Sequence, residues 1–318
     1  MFKELPLESF HSQTVDVVIP AYNARNIIQQ SVTSTLLQEI PTSWQKNIII
    51  VDDGSSDGTG QYCQALFKEQ VNVIYHKQNR GISASRNTGW RAGCGRYVVF
   101  MDADCEWRST DSLAAHLAIL ESGADVCNGA IVSRENSFWG IYQNTVQSPR
   151  EKDFSSDNKA AFTCANVVIR RSLLEKSNGF DEGYSHYGFE DRDLLLRLIS
   201  LGSKIYFSSE AAIFHQPYSS LDNVCRKFIE SGQNSSLRFQ TAHPEYYYRS
   251  LYGKIDCRLH GFPLTLFAKI SGPLMPRLVV LGDKIVNSSK VPFPIKKVCV
   301  KIMSGLSYMV GTYLGMKS

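Results

Sequence analysis

Apolar runs and amphipathic stretches alternate along the first third of the chain. Val15 to Pro20 (VDVVIP) is an apolar, β-branched run ended by a proline. Asn47 to Val51 (NIIIV) is a second such run, broken at once by DDGSSDG. Both read as buried strands. Between them Ile27, Ile28, Val32, Leu36 and Leu37 fall on one face of a helix that Asn26 is placed to cap. The pattern then predicts a helix to about Lys68 and a strand over Val71 to Tyr75. A helix follows from Gly81 to Ala92, stopped by Gly93, and then a strand over Tyr97 to Met101.

Strands alternating with helices of this length imply right-handed crossovers and a parallel sheet. In such sheets ligands lie beyond the C-terminal strand ends. Polar clusters follow three strand ends here: Tyr22-Asn23, Asp52-Asp53 and Asp102-Ala103-Asp104. After Glu106 the pattern loosens. A helix near Asp111 to Ser122 and a strand over Asp125 to Val132 precede a polar, poorly periodic stretch, Ser133 to Lys159, which reads as a mobile loop. Strands are expected at Asn166 to Ile169 and Lys204 to Phe207, with helices at Glu190 to Leu201 and Asn223 to Phe239.

The 318 residues can bury one large α/β domain plus an appendage, and 43% hydrophobic with 20% charged residues excludes a disordered chain. Charge is unevenly placed. From Leu251 on there are ten Lys or Arg against Asp256 and Asp283, ten minus two or +8; with +4 overall, the first 250 residues carry −4. A basic tail on an acidic body points to an anionic partner surface. Eight cysteines without paired spacing argue against a zinc site or a disulfide framework and suit a reducing cytosol. The N-terminal MFKELPLESFHSQ lacks the apolar run of a signal peptide, and no stretch of about 18 uncharged apolar residues is present, so no spanning helix is expected.

Several segments carry chemistry. Asp102-Ala103-Asp104 directly follows a strand, and two carboxylates flanking a small residue can hold a hard divalent cation such as Mn2+ or Mg2+. Alone, D-x-D is far more often an ordinary polar turn, and its place directly after YVVFM is what singles it out. Asp53, Ser55, Asp57 and Gly58 fit half of a calcium loop, but Gln64 stands where a bidentate Glu is required and a strand precedes it, so a nucleoside pocket is the better reading, a bland turn rich in Gly, Ser and Asp being the alternative. The Glu190-Asp191-Arg192-Asp193 segment opens a helix, where acids simply favour the macrodipole. At about 100° per residue, Asp191 extends the face of Leu194, Leu195, Leu198 and Ile199, whereas Asp193 points to solvent. A carboxylate on an inward face is costly unless used, and partial burial would suit it to act as a general base. His215 follows an apolar run; a lone His is more often structural, its alternative being a metal ligand. Arg86 is placed to order a carboxylate or phosphate at the acidic site, a surface ion pair being the alternative.

Together VVIPAYN, IIIVDDGSSDGT, NRGISASRNTGW, YVVFMDAD, CANVVIRRSLLEKSNGFDE and GFED, in this order, resemble family 2 glycosyltransferases over Val15 to Pro217. The resemblance implies a GT-A fold: an α/β, Rossmann-like, mostly parallel sheet flanked by helices. It implies a glycosyltransferase domain over 1–220, with a nucleotide-sugar half at 13–107 and an acceptor half at 108–220. Residues 221–318 would then form a helical, basic, membrane-associated region. By the same resemblance Pro20, Ala21, Tyr22 and Asp53 line the nucleoside pocket, Asp53 accepting from the base. Asp102 contacts the ribose or the metal, Asp104 is the principal metal ligand and His215 completes the metal site. Asp191 is the catalytic base, and Tyr187, Glu190 and Asn166 face the acceptor. Tyr187-Gly188-Phe189 replaces the Trp-Gly-Gly common in the family, and Ser133 to Lys159 matches no family feature.

The implied reaction is an inverting single displacement, from a nucleotide-diphosphate donor (uridine diphosphate by the family's base rate) onto a hydroxyl of a glycan or lipid-linked acceptor in polysaccharide synthesis. No nucleic-acid partner is expected. A nucleotidyltransferase would use a similar sheet, but its Gly-rich loop is missing from Ala21 to Arg25; a non-catalytic binding module is a further alternative. The location implied is cytoplasmic and peripheral on the inner face of the membrane. Val291 to Met316, with Lys296, Lys297 and Lys301, reads as an interfacial helix, packing on the body being its alternative.

Overall fold

A computed structural model describes residues 11–145, 162–215 and 220–317. It divides into two units. The first comprises Met1–Ser133, Asn144–Glu182 and Leu194–Gln216; the second comprises Arg134–Gln143, Gly183–Asp193 and Pro217–Ser318. The second unit therefore draws two short segments out of the stretch assigned from sequence to the acceptor half.

The first unit is built on eight strands: β1 His11–Ala21, β2 Gln45–Asp52, β3 Asn72–Tyr75, β4 Gly95–Met101, β5 Cys105–Trp107, β6 Val126–Val132, β7 Asn166–Arg170 and β8 Ile205–His215. Their order is β3-β2-β1-β4-β7-β6-β8-β5. The pairs among β1 to β4 are parallel, as is β6 with β8, whereas β7 runs antiparallel to both neighbours and β5 antiparallel to β8. Alternate residues of the same strand feed opposite cores, so both faces of the sheet are covered. Val17, Ile19, Val99 and Met101 pack with Ile28, Val32, Cys63, Phe67, Leu113 and Leu117. Val18, Val98 and Phe100 pack with Trp90, Leu174, Phe180, Leu194, Leu195 and Leu198.

One polar device is buried within this unit. Asp16, inside the first apolar run, is wholly buried and pairs with the guanidinium of Arg171. Arg171 also donates to the carbonyls of Trp90 and Gly95, and Asp16 accepts from Asn47 Nδ2 and Gly95 N. Five elements are tied at one charged point, which is tolerable in a core because both charged groups also hydrogen-bond to their surroundings.

Several expectations are corrected. The first helix is Ile28–Leu36 with Ile27 at its N-cap and no side-chain cap bond, so Asn26 does not cap it; the Ile28 N–H donates to Ala24 O instead. β5 and the helix Arg171–Ser177 were not legible in the sequence, and β8 is far longer than Lys204 to Phe207. Within the stretch read as a loop, residues 138–145 are helical; 146–161 lie outside the described residues. The helix expected over Asn223 to Phe239 is Leu221–Glu230 followed by a π-turn Ser231–Ser235 and a second helix, Ser236–Ala242.

The second unit is helical. Leu221, Val224, Met275, Val279, Val286, Val300 and Met303 form its main core, drawn from the helices Leu221–Glu230, Met275–Asn287 and Phe293–Leu314. The rod Phe262–Asn287 is long and apolar enough to cross a bilayer by length and composition, with Lys269, Arg277, Asp283 and Lys284 within it.

Candidate active site

The first unit gathers its polar residues where β1, β2 and β4 end, because parallel strands all release their chain on the same edge. Pro20 and Ala21 are buried there and Tyr22 projects, 53% exposed. The loop after β2 folds onto the loop after β1 through paired hydrogen bonds. Asn23 N donates to Ser55 Oγ (2.9 Å), Ser56 N to Asn23 Oδ1 (2.9 Å) and Ala24 N to Thr59 Oγ1 (2.9 Å). Gly54, at φ +73°, makes the turn; a Cβ there would lie 2.6 Å from the carbonyl carbon of Gln78.

Asp52 and Asp53 have separate tasks. Asp52 is buried and accepts from Ser55 N and Gly60 N, both at 3.0 Å, so it holds its own loop. Asp53 accepts from Arg80 N and Gly81 N at 2.9 Å and is bound by His76 Nδ1 at 2.6 Å. Its carboxylate thus fixes the segment entering the helix Ile82–Ala92, with one lone pair of Oδ2 left over. His76, which also meets Thr88 Oγ1 at 2.9 Å, was missed from sequence; its place one residue past β3 was the available signal. Asp57 is spent on Arg25 N and on the Thr59 backbone and hydroxyl. Burial raises its carboxyl, but these donors outweigh that and leave its pKa below the ordinary value.

At the end of β4, Arg86 is 2% exposed and reaches Asp102 Oδ1 at 3.0 Å, its guanidinium lying 5.2 Å from the centre of the Phe180 ring. The Arg86 alternative of a surface ion pair is therefore excluded on the arginine side. Asp104 lies two residues on. The antiparallel ladder of β5 on β8 places Cys105 opposite His215, and this brings His215 Nε2 to 3.3 Å from Asp104 Oδ2. Burial raises the Asp104 carboxyl, but the hydrogen bond and charge of His215, with the Cys105 thiol, leave it below the usual range. Asp104, Cys105 and His215 form the one group of metal-ligating atoms among the described residues, all within 4.8 Å of one another. Cys105 is fully buried, and burial first, then the neighbouring carboxylates, hold its thiol well above its ordinary pKa. The carboxylate oxygen of Asp104 and the imidazole nitrogen of His215, on a half-open rim, are donors that suit Mn2+ or Mg2+.

Asn166, expected at the acceptor, is corrected. It is wholly buried, its Nδ2 donating to Ala130 O (3.0 Å) and Ala211 O (2.8 Å) while Oδ1 accepts from His116 Nε2 (2.9 Å). Both protons of the amide go to sheet carbonyls and its oxygen to the helix Ser112–Glu121, so it is a structural bridge between β6, β8 and that helix.

In the second unit, Gly188 (φ +102°) and Phe189 (φ +72°) turn the chain into the helix Glu190–Ser200. A phenylalanine in the left-handed region is strained; its ring stacks on Phe239, with centroids 4.7 Å apart, and this packing holds it. Asp191 is half-buried and Glu190 buried. Asp193, read as solvated, is 3% exposed and bound to His243 Nε2 at 2.8 Å. The apolar-face argument missed this because the side of the helix away from the leucines carries a partner from the C-terminal region. Tyr187 is half-exposed, with the Lys227 ammonium 4.8 Å from the centre of its ring.

The description "Glycosyl transferase family 2" matches residues 16–177, and "N-terminal domain of galactosyltransferase" matches 147–218. A Bacillus subtilis glycosyltransferase assigned to teichuronic acid biosynthesis, TuaG, is 40% identical over 108 residues, 33% of this chain and 41% of that protein. The glycosyltransferase GlyA of Streptococcus pneumoniae is 33% identical over 207 residues, 63% of this chain and 29% of that protein. The matches thus span less than half the length of these curated relatives. Among solved structures, a mannosyltransferase of Pyrobaculum calidifontis in complex with GDP-Man and Mn2+ superposes with a TM-score of 0.60 at 17% identity, covering 92% of this chain and 86% of that one. That likeness shows the fold, which is of the GT-A type.

Proposed function

For a chain that belongs to glycosyl transferase family 2, we propose transfer of a sugar from a nucleoside-diphosphate donor to a hydroxyl of a glycan or lipid-linked acceptor in bacterial cell-surface glycan synthesis. The observation that carries this reading is the Asp104–His215 pair at the rim of β5 and β8, beside the Arg86–Asp102 pair at the end of β4. Asp104 and His215 would hold Mn2+ or Mg2+, which supplies positive charge against a leaving diphosphate. Pro20, Ala21 and Tyr22 offer a wall for the base, and the spare lone pair of Asp53 Oδ2 suits an N–H of the base. Arg86 holds Asp102 in one rotamer for a ribose hydroxyl or the ion. Tyr187 and Glu190 remain the acceptor candidates.

We assign the proton transfer to Asp191. The acceptor oxygen bonds to the anomeric carbon as that carbon's bond to the diphosphate oxygen breaks, and the hydroxyl proton passes to the Asp191 carboxylate; direct displacement inverts the anomeric centre. We place this reaction in the reducing cytoplasm, the setting that cysteines without paired spacing suit. The test is Asp191→Asn assayed with UDP- and GDP-sugars and Mn2+. Nucleotide binding, followed by thermal shift, should persist while transfer falls about 10²- to 10⁴-fold. A variant that transfers at the wild-type rate would remove Asp191 from this role.

A further inference from the structure

The helical turn that carries Asp191 is gripped at both of its ends by the second unit. Phe189 closes that turn: its carbonyl accepts from Asp193 N at 2.8 Å, so Asp191 sits midway between Phe189 and Asp193. Phe239, His243 and Tyr247 follow one another at intervals of four along the helices Ser236–Ala242 and Pro244–Arg249, and all three meet this turn. His243 is the joint between the two helices. Its N–H donates to Phe239 O and its carbonyl accepts from Tyr247 N, both at 2.9 Å. At the near end of the turn the Phe189 ring lies against Phe239, Tyr252 and Tyr247, with centroids 4.7, 5.2 and 6.2 Å away. At the far end His243 Nε2 donates to the buried Asp193 Oδ1 at 2.8 Å. Tyr247 is itself anchored, its hydroxyl donating to the buried Asp256 carboxylate that Arg258 neutralises.

A phenylalanine at φ +72° persists only where its surroundings over-determine it, and such strain gathers at sites where geometry is part of the mechanism. The segment just before it is held from the same unit. Ser235 Oγ donates to Tyr187 O at 3.1 Å, Tyr187 N donates to Glu230 Oε1 at 3.2 Å, and a Cβ on Gly188 would overlap Ser231 Oγ. Ser231 and Ser235 bound the π-turn, a form found mostly at functional sites. We propose that His243 is a positioning residue for the transfer reaction. By holding Asp193 it sets where the Asp191 carboxylate meets the acceptor hydroxyl, while the aromatic rings fix the other end of the turn. Asp193 is buried, so the pair acts through the turn and not on substrate. This inference rests on Asp191 as the base.

A merely structural histidine would change the folded fraction and leave each folded molecule at full rate. The test is therefore transfer at saturating donor and Mn2+, with the rate divided by the number of nucleotide-binding sites found by calorimetry. His243→Ala and His243→Phe, the second keeping a ring against Phe239, should each lower kcat per site about 10- to 100-fold with nucleotide Kd unchanged, the cost of displacing a reacting group by about 1 Å. His243→Gln returns an N–H donor of similar reach and should recover most of the rate. In the Asp191→Asn background His243→Phe should cost less than about twofold, because the group it positions is gone. Wild-type kcat per site in both His243→Ala and His243→Phe, or an undiminished loss in the Asp191→Asn background, would overturn the inference and leave the base assignment standing. Wild-type transfer by Asp191→Asn would instead remove the base, and this inference with it.

Discussion

Protonation of His116 should unlock the first unit as pH falls. His116 is wholly buried in the helix Ser112–Glu121, with its ring edge-on to Trp107 at 6.0 Å. Asn166 spends its Nδ2 on two carbonyls, so its Oδ1 must face the imidazole, and that fixes the proton of His116 on Nε2. Nδ1 is then proton-free and has no hydrogen-bond partner among the described residues. Burial pulls the pKa from 6.5 down to about 4, with the Asn166 bond resisting only in part. The folded-state pKa lies below the unfolded one, so the unfolded chain binds the extra proton first. The contribution is therefore complete above pH 6.5 and is lost progressively as pH falls to about 4. At about 1.4 kcal/mol per pH unit, the loss is about 3 kcal/mol over that interval. Urea unfolding at a series of pH values, for wild type and His116→Gln, isolates the term because the other titrating groups are common to both. Wild type should lose about 3 kcal/mol more than the variant between pH 7 and pH 4. Parallel curves would refute the reasoning, showing that water or a rearranged Asn166 solvates the imidazolium.

His215→Ala should raise the Mn2+ concentration needed for half-maximal nucleotide binding at least about tenfold, since even outer-shell partners of metal ligands cost that much; titration of the thermal shift with Mn2+ measures it. Arg171→Met should lower the unfolding free energy by about 3–5 kcal/mol, because it strands the Asp16 carboxylate in the core, and adding Asp16→Asn should recover part of the loss; urea unfolding of the single and double variants tests both statements.

Much of this protein is local, and the local part was legible. The runs VDVVIP, NIIIV and YVVFM became β1, β2 and β4 because a β-branched apolar segment bounded by turn residues has few other ways to hide its side chains. The acids at their ends share one edge because parallel strands impose it. Arg86 and Asp102, sixteen residues apart, meet at the end of β4. Pairing across longer separations is another matter. No periodicity announces a three-residue strand such as β5, yet its register against β8 is what sets His215 beside Asp104. Asn166 looked available until the sheet closed around it, and Asp193 looked solvated until His243 arrived from the C-terminal region. The same holds for Asp16 and Arg171, 155 residues apart. Hydrophobic period and turn chemistry are written within a few residues of one another, so the sequence by itself determined which segments are strands and on which edge the acids emerge. Burial and partnering of a polar side chain depend on which distant segment packs against it, and tertiary structure alone decided those.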